Sequence, residues 1–157
     1  MSAASEPQDA QEPLVPTLLA LVAAWVLPGL GHVLLGRVRR GLLFGALLLG
    51  AWGFGLAHDG RLALRDERQP FLSSLQVLAN LGIGPADLVA RTFVYGGLVY
   101  ALPHGIQSGL ENEHSRIFRD RTRSGLSIYG TAYVWTAGLL NLLLLFDVWD
   151  IGRGRKW

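Results

Sequence analysis

The stretch that decides the fold is "PGLGHVLLGRVRRG", Pro28–Gly41, a Pro-Gly pair, a single histidine and three arginines set in a run of Leu and Val. Proline cannot donate to the carbonyl four residues back, here Ala24, so a helix carried through Pro28 kinks and leaves that carbonyl in need of a partner. Upstream and through the pair, Leu14 to Leu35 carries no charge. As a helix that run is roughly 33 Å long, enough to cross a bilayer. Downstream, "GLLFGALLLGAWGFGLA", Gly41–Ala57, sits at the lower limit of a span. The intervening "GRVRR" makes a tight basic turn. We read residues 14–57 as a kinked transmembrane hairpin whose elbow is built from Pro28, Gly29, Gly31, Gly36 and Gly41.

Composition agrees. Half of the 157 residues are apolar and only 17% are charged, against about a quarter in a soluble domain. Mean hydropathy is +0.32. The charges are segregated: none falls between Glu12 and Arg37, and only Asp147 and Asp150 fall between Arg123 and Arg153. A net charge of +2 from scattered bases gives no footprint for nucleic acid. The absence of cysteine removes disulfides, thiolate metal sites, covalent haem attachment and thiol catalysis. "MSAASEPQDAQEP", residues 1–13, is acidic, lacks the bases of a signal peptide and reads as a disordered tail.

Beyond the hairpin, residues 58–127 read as polar loops with two short helices, each opened by a proline at its first position, Pro70 and Pro85. "PFLSSLQVLANLGIG" carries a polar stripe, and "PADLVARTFVYGGLVYALPHG" carries Asp87 and Arg91. Both are too polar for an easy span and too apolar for a loop, so they read as interfacial or half-buried, with two poor spans as the alternative, for three spans or five in all. "ENEHSRIFRDRTRSG", Glu111–Gly125, alternates charge at helical spacing and reads as solvated. Residues 128–157 form a final span flanked by Tyr129, Tyr133 and Trp135 at one interface and by Trp149 and a basic tail at the other. An odd number of spans sets the two chain ends on opposite sides. The bases of "RVRR" and "GRGRK" then favour a cytoplasmic carboxyl end and an external amino end, in a bacterial inner membrane.

Gly29, Gly31, His32, Leu35, Gly36 and Gly41 stand as in the small hairpin modules of the two-transmembrane-domain type, which the segment resembles. Val33 and Leu34 replace the aromatic pair usual there. From Val15 to Lys156 the chain is also similar to an uncharacterised bacterial membrane family that pairs a "PGLGH" hairpin with an "AGLLNLLLLFDVWDIGRGRK"-like final span. The resemblance implies a fold and a location, and no catalytic residue.

Few residues carry candidate chemistry. His32, thinned about by Gly29 and Gly31, reads as a structural hydrogen-bonding histidine; the alternative is an axial ligand to a haem or chlorophyll-type macrocycle. Asp147, Asp150 and Arg153 share a helix face and read as an interfacial cluster paired with Arg153 or with Arg37, Arg39 and Arg40; the alternative is an ion, proton or docking site. Asn141 lies mid-span and reads as a packing residue that hydrogen-bonds across to another helix. Ala46, Gly50, Gly53 and Ala57 form a small-residue ladder suited to helix packing. No zinc spacing, phosphate loop, nucleophile elbow or dinucleotide fingerprint occurs, so no metal, cofactor or enzymatic activity is expected. The fold expected is all-α and polytopic. The function expected is that of a small non-enzymatic membrane protein, an accessory or assembly subunit working through contacts with lipids and with other subunits or itself. A cofactor-binding subunit and a small transporter or channel are the alternatives.

Overall fold

The computed structural model describes residues 14–66, 69–101 and 109–155; the acidic tail, His104 and Lys156 lie outside them. Seven helices occur among these residues: α1 Leu14–Val26, α2 Leu30–Leu34, α3 Val38–Ala57, α4 Pro70–Leu81, α5 Pro85–Tyr95, α6 Gly109–Arg123 and α7 Ser127–Gly152. About three quarters of the described residues are helical, with no strand among them; one isolated parallel bridge joins Arg65 to Ala101. Two helices, α3 and α7, are long and apolar enough to cross a membrane, and α4 with α5 would make a third only as a pair bent by 108°. The outer surface is apolar in the same sense: Leu42, Leu43 and Leu47 of α3 and Leu143 and Phe146 of α7 are exposed, as lipid-facing side chains are.

α3 and α7 run antiparallel. Gly55, near the end of α3, packs on the Gly130 carbonyl and Val134 near the start of α7, and Leu48 and Ala137 share a core cluster halfway along. This defines a loop end, with His58 and Ser127, and a turn end, with Arg37 and Gly152.

Pro28 does not kink a span. It is the corner of a tight reversal: the Leu30 amide donates to the Leu27 carbonyl at 3.0 Å, and Gly29 sits at φ 85°, ψ −18°. Pro followed by a glycine at positive φ is the signature of a type II turn. A side chain at Gly29 would also strike the Gly41 carbonyl, so α2 doubles back between α1 and α3. Gly31 packs against Ala24 and Val148, and the Arg37 amide donates to the His32 carbonyl at 2.8 Å. α1 and α2 therefore enter from the turn end and return to it.

That reversal corrects the expectation of opposite chain ends. The Thr17 hydroxyl, at the start of α1, donates to the Gly152 carbonyl at 2.7 Å, so the described chain begins and ends at the same end of the bundle.

α4 and α5 enter from the loop end. A side chain at Gly138, near the middle of α7, would strike the Ala79 carbonyl. After the bend, α5 runs back until the Tyr95 hydroxyl donates to the Leu62 carbonyl at 3.3 Å, just beyond the exit of α3. Both prolines stand at the first helical positions, as their fixed φ and missing N–H favour. In chain order the described residues form a hairpin and a long helix, then a second hairpin from the opposite end, the charged helix α6 and a second long helix.

Candidate functional site

The two hairpin tips meet beside α7, and Asn141 joins them. Its fully buried amide donates to the Gly82 carbonyl at 2.8 Å and to the Ala24 carbonyl at 3.4 Å. Ala24 is the carbonyl that Pro28 deprives of a helical donor. The Trp25 indole N–H donates to the Leu81 carbonyl at 3.2 Å from the facing tip. Non-helical backbone at membrane depth is tolerated only where its polar groups are satisfied by protein. Asn141 and Trp25 supply that to both tips. Gly84 completes the closure: its φ of 79° and the Trp25 carbonyl lying against it leave no space for a side chain.

A second buried cluster braces α5. Arg91 Nε donates to Asp87 Oδ2 at 2.7 Å, both side chains being fully buried. The Tyr100 hydroxyl donates to the same oxygen at 3.3 Å, and the Asn80 amide reaches Asp87 Oδ1 at 3.5 Å, a weak contact. Arg91 Nη1 donates to the Val99 carbonyl at 2.8 Å, and the guanidinium lies 4.1 Å from the centre of the Tyr100 ring. Burial, with the neighbouring Asp87 carboxylate, pushes the Tyr100 phenol above its ordinary pKa range. The ion pair thus ties α5 to the segment that follows it. In the linear sequence the two charges stand out only as obstacles to a span. Their i, i+4 spacing is the signal that they pair.

At the turn end, His32 and Asp147, treated separately in the sequence, are partners. The fully buried His32 Nε2 lies 3.1 Å from Asp147 Oδ2. A carboxylate only accepts, so the bond places a proton on Nε2. Phe44 packs edge-on against the imidazole with centroids 5.4 Å apart. Nε2 is engaged and the ring is fully buried, while Nδ1 has no hydrogen-bond partner among the described residues. Asp147 thus has a histidine partner that its own helix face does not indicate. Arg37, Arg39 and Arg40 line an open cleft of about 380 Å³ with Gly36 and Val38, and the Arg153 guanidinium lies 5.9 Å from the Trp149 ring centre. Among the described residues no three acidic or histidine side chains converge as a metal site.

The small-residue ladder faces away from the bundle. Ala46, Gly50, Gly53 and Ala57 are all exposed, with open space beyond Gly50 and Gly53. The bundle instead packs on the opposite face of α3, through Gly41, Gly45, Leu48 and Gly55. Of the expected elbow, Pro28, Gly29, Gly31 and Gly41 make the α1–α2 reversal and its contact with α3, while Gly36, at φ 78°, ends α2 in open space.

No curated protein and no solved structure matches the chain. A family of unknown function, DUF6677, matches residues 19–156, from within α1 through both long helices. The chain belongs to that family.

Proposed function

We propose that this protein is a non-enzymatic integral membrane subunit that works by docking another membrane helix on the outer face of α3. The observation that carries the reading is the outward ladder Ala46, Gly50, Gly53, Ala57 on a helix of membrane-crossing length. Lipid tails are as apolar as leucine, so helices associate in a bilayer through close backbone approach, which small residues permit. Beside the ladder, Leu42, Leu43 and Leu47 present the bulky surface expected toward lipid, while Gly50 and Gly53 leave the backbone bare. The bundle has its own glycine face on the other side of α3, so internal packing does not require this one. The basic turn at Arg37, Arg39 and Arg40 and the basic carboxyl tail orient the turn end toward the cytoplasm. A bacterial inner membrane is carried by the resemblance alone.

The opposed hairpins also share the broken-helix arrangement used by many transporters. Here their tips are in backbone contact at Gly84 and Trp25 and are tied by Asn141, which supports a closed structural junction.

The experiment is Gly50→Leu in the full chain, followed by native gel mobility in mild detergent and mass spectrometry of what co-purifies. A complex present with the wild type and lost with Gly50→Leu, at unchanged thermal stability, supports docking at α3. Identical complexes, or a monomer in both cases, overturn it.

A further inference from the structure

On the loop-end half of the molecule a slot of about 440 Å³ is lined by Arg65, Ser74, Val77, Leu81 and Tyr100. This is within the size range of small-ligand sites. Ser74, Val77 and Leu81 lie along one line of α4, so the slot follows that helix for roughly 10 Å toward the hairpin tip. Its walls are fixed from behind. The Leu81 carbonyl is held by Trp25. The Tyr100 hydroxyl is held on Asp87, with its ring on Arg91. The Arg65 amide donates to the Tyr100 carbonyl at 2.7 Å, which sets Arg65 beside the ring.

The chemistry changes along the slot. At the loop end stands Arg65, exposed, its guanidinium making no hydrogen bond or ion pair among the described residues. Toward the tip the walls are Val77 and Leu81. The flanking residues of α4, Phe71, Leu72, Leu75 and Leu78, are all exposed, so the slot lies within the apolar outer surface. A cation at the outer end and an apolar channel running inward suit one class of molecule, an amphiphile with an anionic head. We infer that the slot holds an anionic phospholipid, its head phosphate at Arg65 and one acyl chain along Val77 and Leu81. This rests on the membrane reading above and is independent of docking at α3.

The test uses the full chain, purified and delipidated in detergent, with dioleoyl phosphatidylglycerol, dioleoyl phosphatidylcholine or inorganic phosphate added. Retention is read by native mass spectrometry, and folding by circular dichroism. The wild type should retain phosphatidylglycerol in preference to phosphatidylcholine, with inorganic phosphate failing to compete. Arg65→Gln removes the charge, and Val77→Trp fills the slot without touching any charge. Arg65→Gln should weaken retention at least about tenfold, the loss of one charge-assisted contact, and Val77→Trp should weaken it at least about tenfold by displacing the buried part of the acyl chain, with helicity unchanged in both. Equal retention of the two lipids overturns the head-group assignment. Competition by phosphate overturns the chain assignment. Loss in Arg65→Gln alone overturns the slot in favour of surface charge, loss in Val77→Trp alone overturns the role of Arg65, and no loss in either removes the site.

Discussion

Replacing Asn141 with Leu removes the residue that ties the two hairpin tips together while keeping nearly the same shape. Two hydrogen bonds disappear, one at 2.8 Å to Gly82 and one at 3.4 Å to Ala24. The longer is at the limit of useful geometry and contributes little. The shorter is worth about 0.6–1 kcal/mol by the standards of membrane and soluble proteins. More is lost through the group left behind: the Gly82 carbonyl, at a non-helical tip inside the bundle, is then unsatisfied at a cost of about 1–3 kcal/mol. Together these give a loss of about 2 kcal/mol, or roughly 4–8 °C in thermal midpoint for a chain of this size. The assay is thermal unfolding in detergent followed by circular dichroism. Leu140→Ala, on the exposed face of the same helix, serves as a control expected to stay within about 0.5 kcal/mol. A midpoint for Asn141→Leu equal to or above wild type would refute the reasoning, because it would mean that the tips are held by packing alone.

Arg91→Gln should be more damaging, by about 3–5 kcal/mol, since it leaves the Asp87 carboxylate buried without its partner; replacing Asp87 and Arg91 together with leucine should destabilise less than Arg91→Gln alone, as denaturation midpoints will report. Gly84→Ala should prevent accumulation of folded protein, because φ is 79° there and the new methyl meets the Trp25 carbonyl; normal yield and helicity would show that the two tips can separate at no cost. His32→Gln keeps an N–H for Asp147 and should shift the thermal midpoint by no more than a few degrees, with no change in visible absorption. Loss of an absorption band in that variant would establish the ligand role for His32.

Much of this architecture is legible in the sequence, though in separate pieces. Segregated charge and the prolines at 70 and 85 indicate an all-helical chain, with long apolar helices and two short middle ones. The need of Ala24 for a donor and the mid-span position of Asn141 are each readable from local chemistry. Their pairing is not, because 117 residues separate them. His32 and Asp147, 115 residues apart, are the same case. The widest departure lies at Pro28-Gly29. Proline alone suggests a kink, whereas proline followed by a glycine free to take positive φ can reverse the chain, and that choice moves one chain end to the other side. On α3 the difficulty is one of degeneracy. Gly41, Gly45 and Gly55 mark one close-packing face, and Gly50 with Gly53 marks another. Spacing identifies both and cannot say which of them meets the bundle. The Arg65 slot is out of reach of any linear pattern, since it needs the 61–66 segment, α4 and Tyr100 brought together in space.

With α3 and α7 as the two crossings that their length and apolarity allow, the fold predicts the start of α1 and the end of α7 on one side of a membrane and the α6–α7 junction on the other. The chain contains no cysteine, so single-cysteine variants can be read without background. Val15→Cys, Gly125→Cys and Arg155→Cys, each at an exposed position, would be labelled with a membrane-impermeant maleimide in sealed vesicles of one orientation, before and after permeabilisation. Positions 15 and 155 should behave alike, and position 125 should behave oppositely to both. Labelling that separates 15 from 155 would mean that the chain passes straight through at Pro28, and the opposed-hairpin architecture would be wrong.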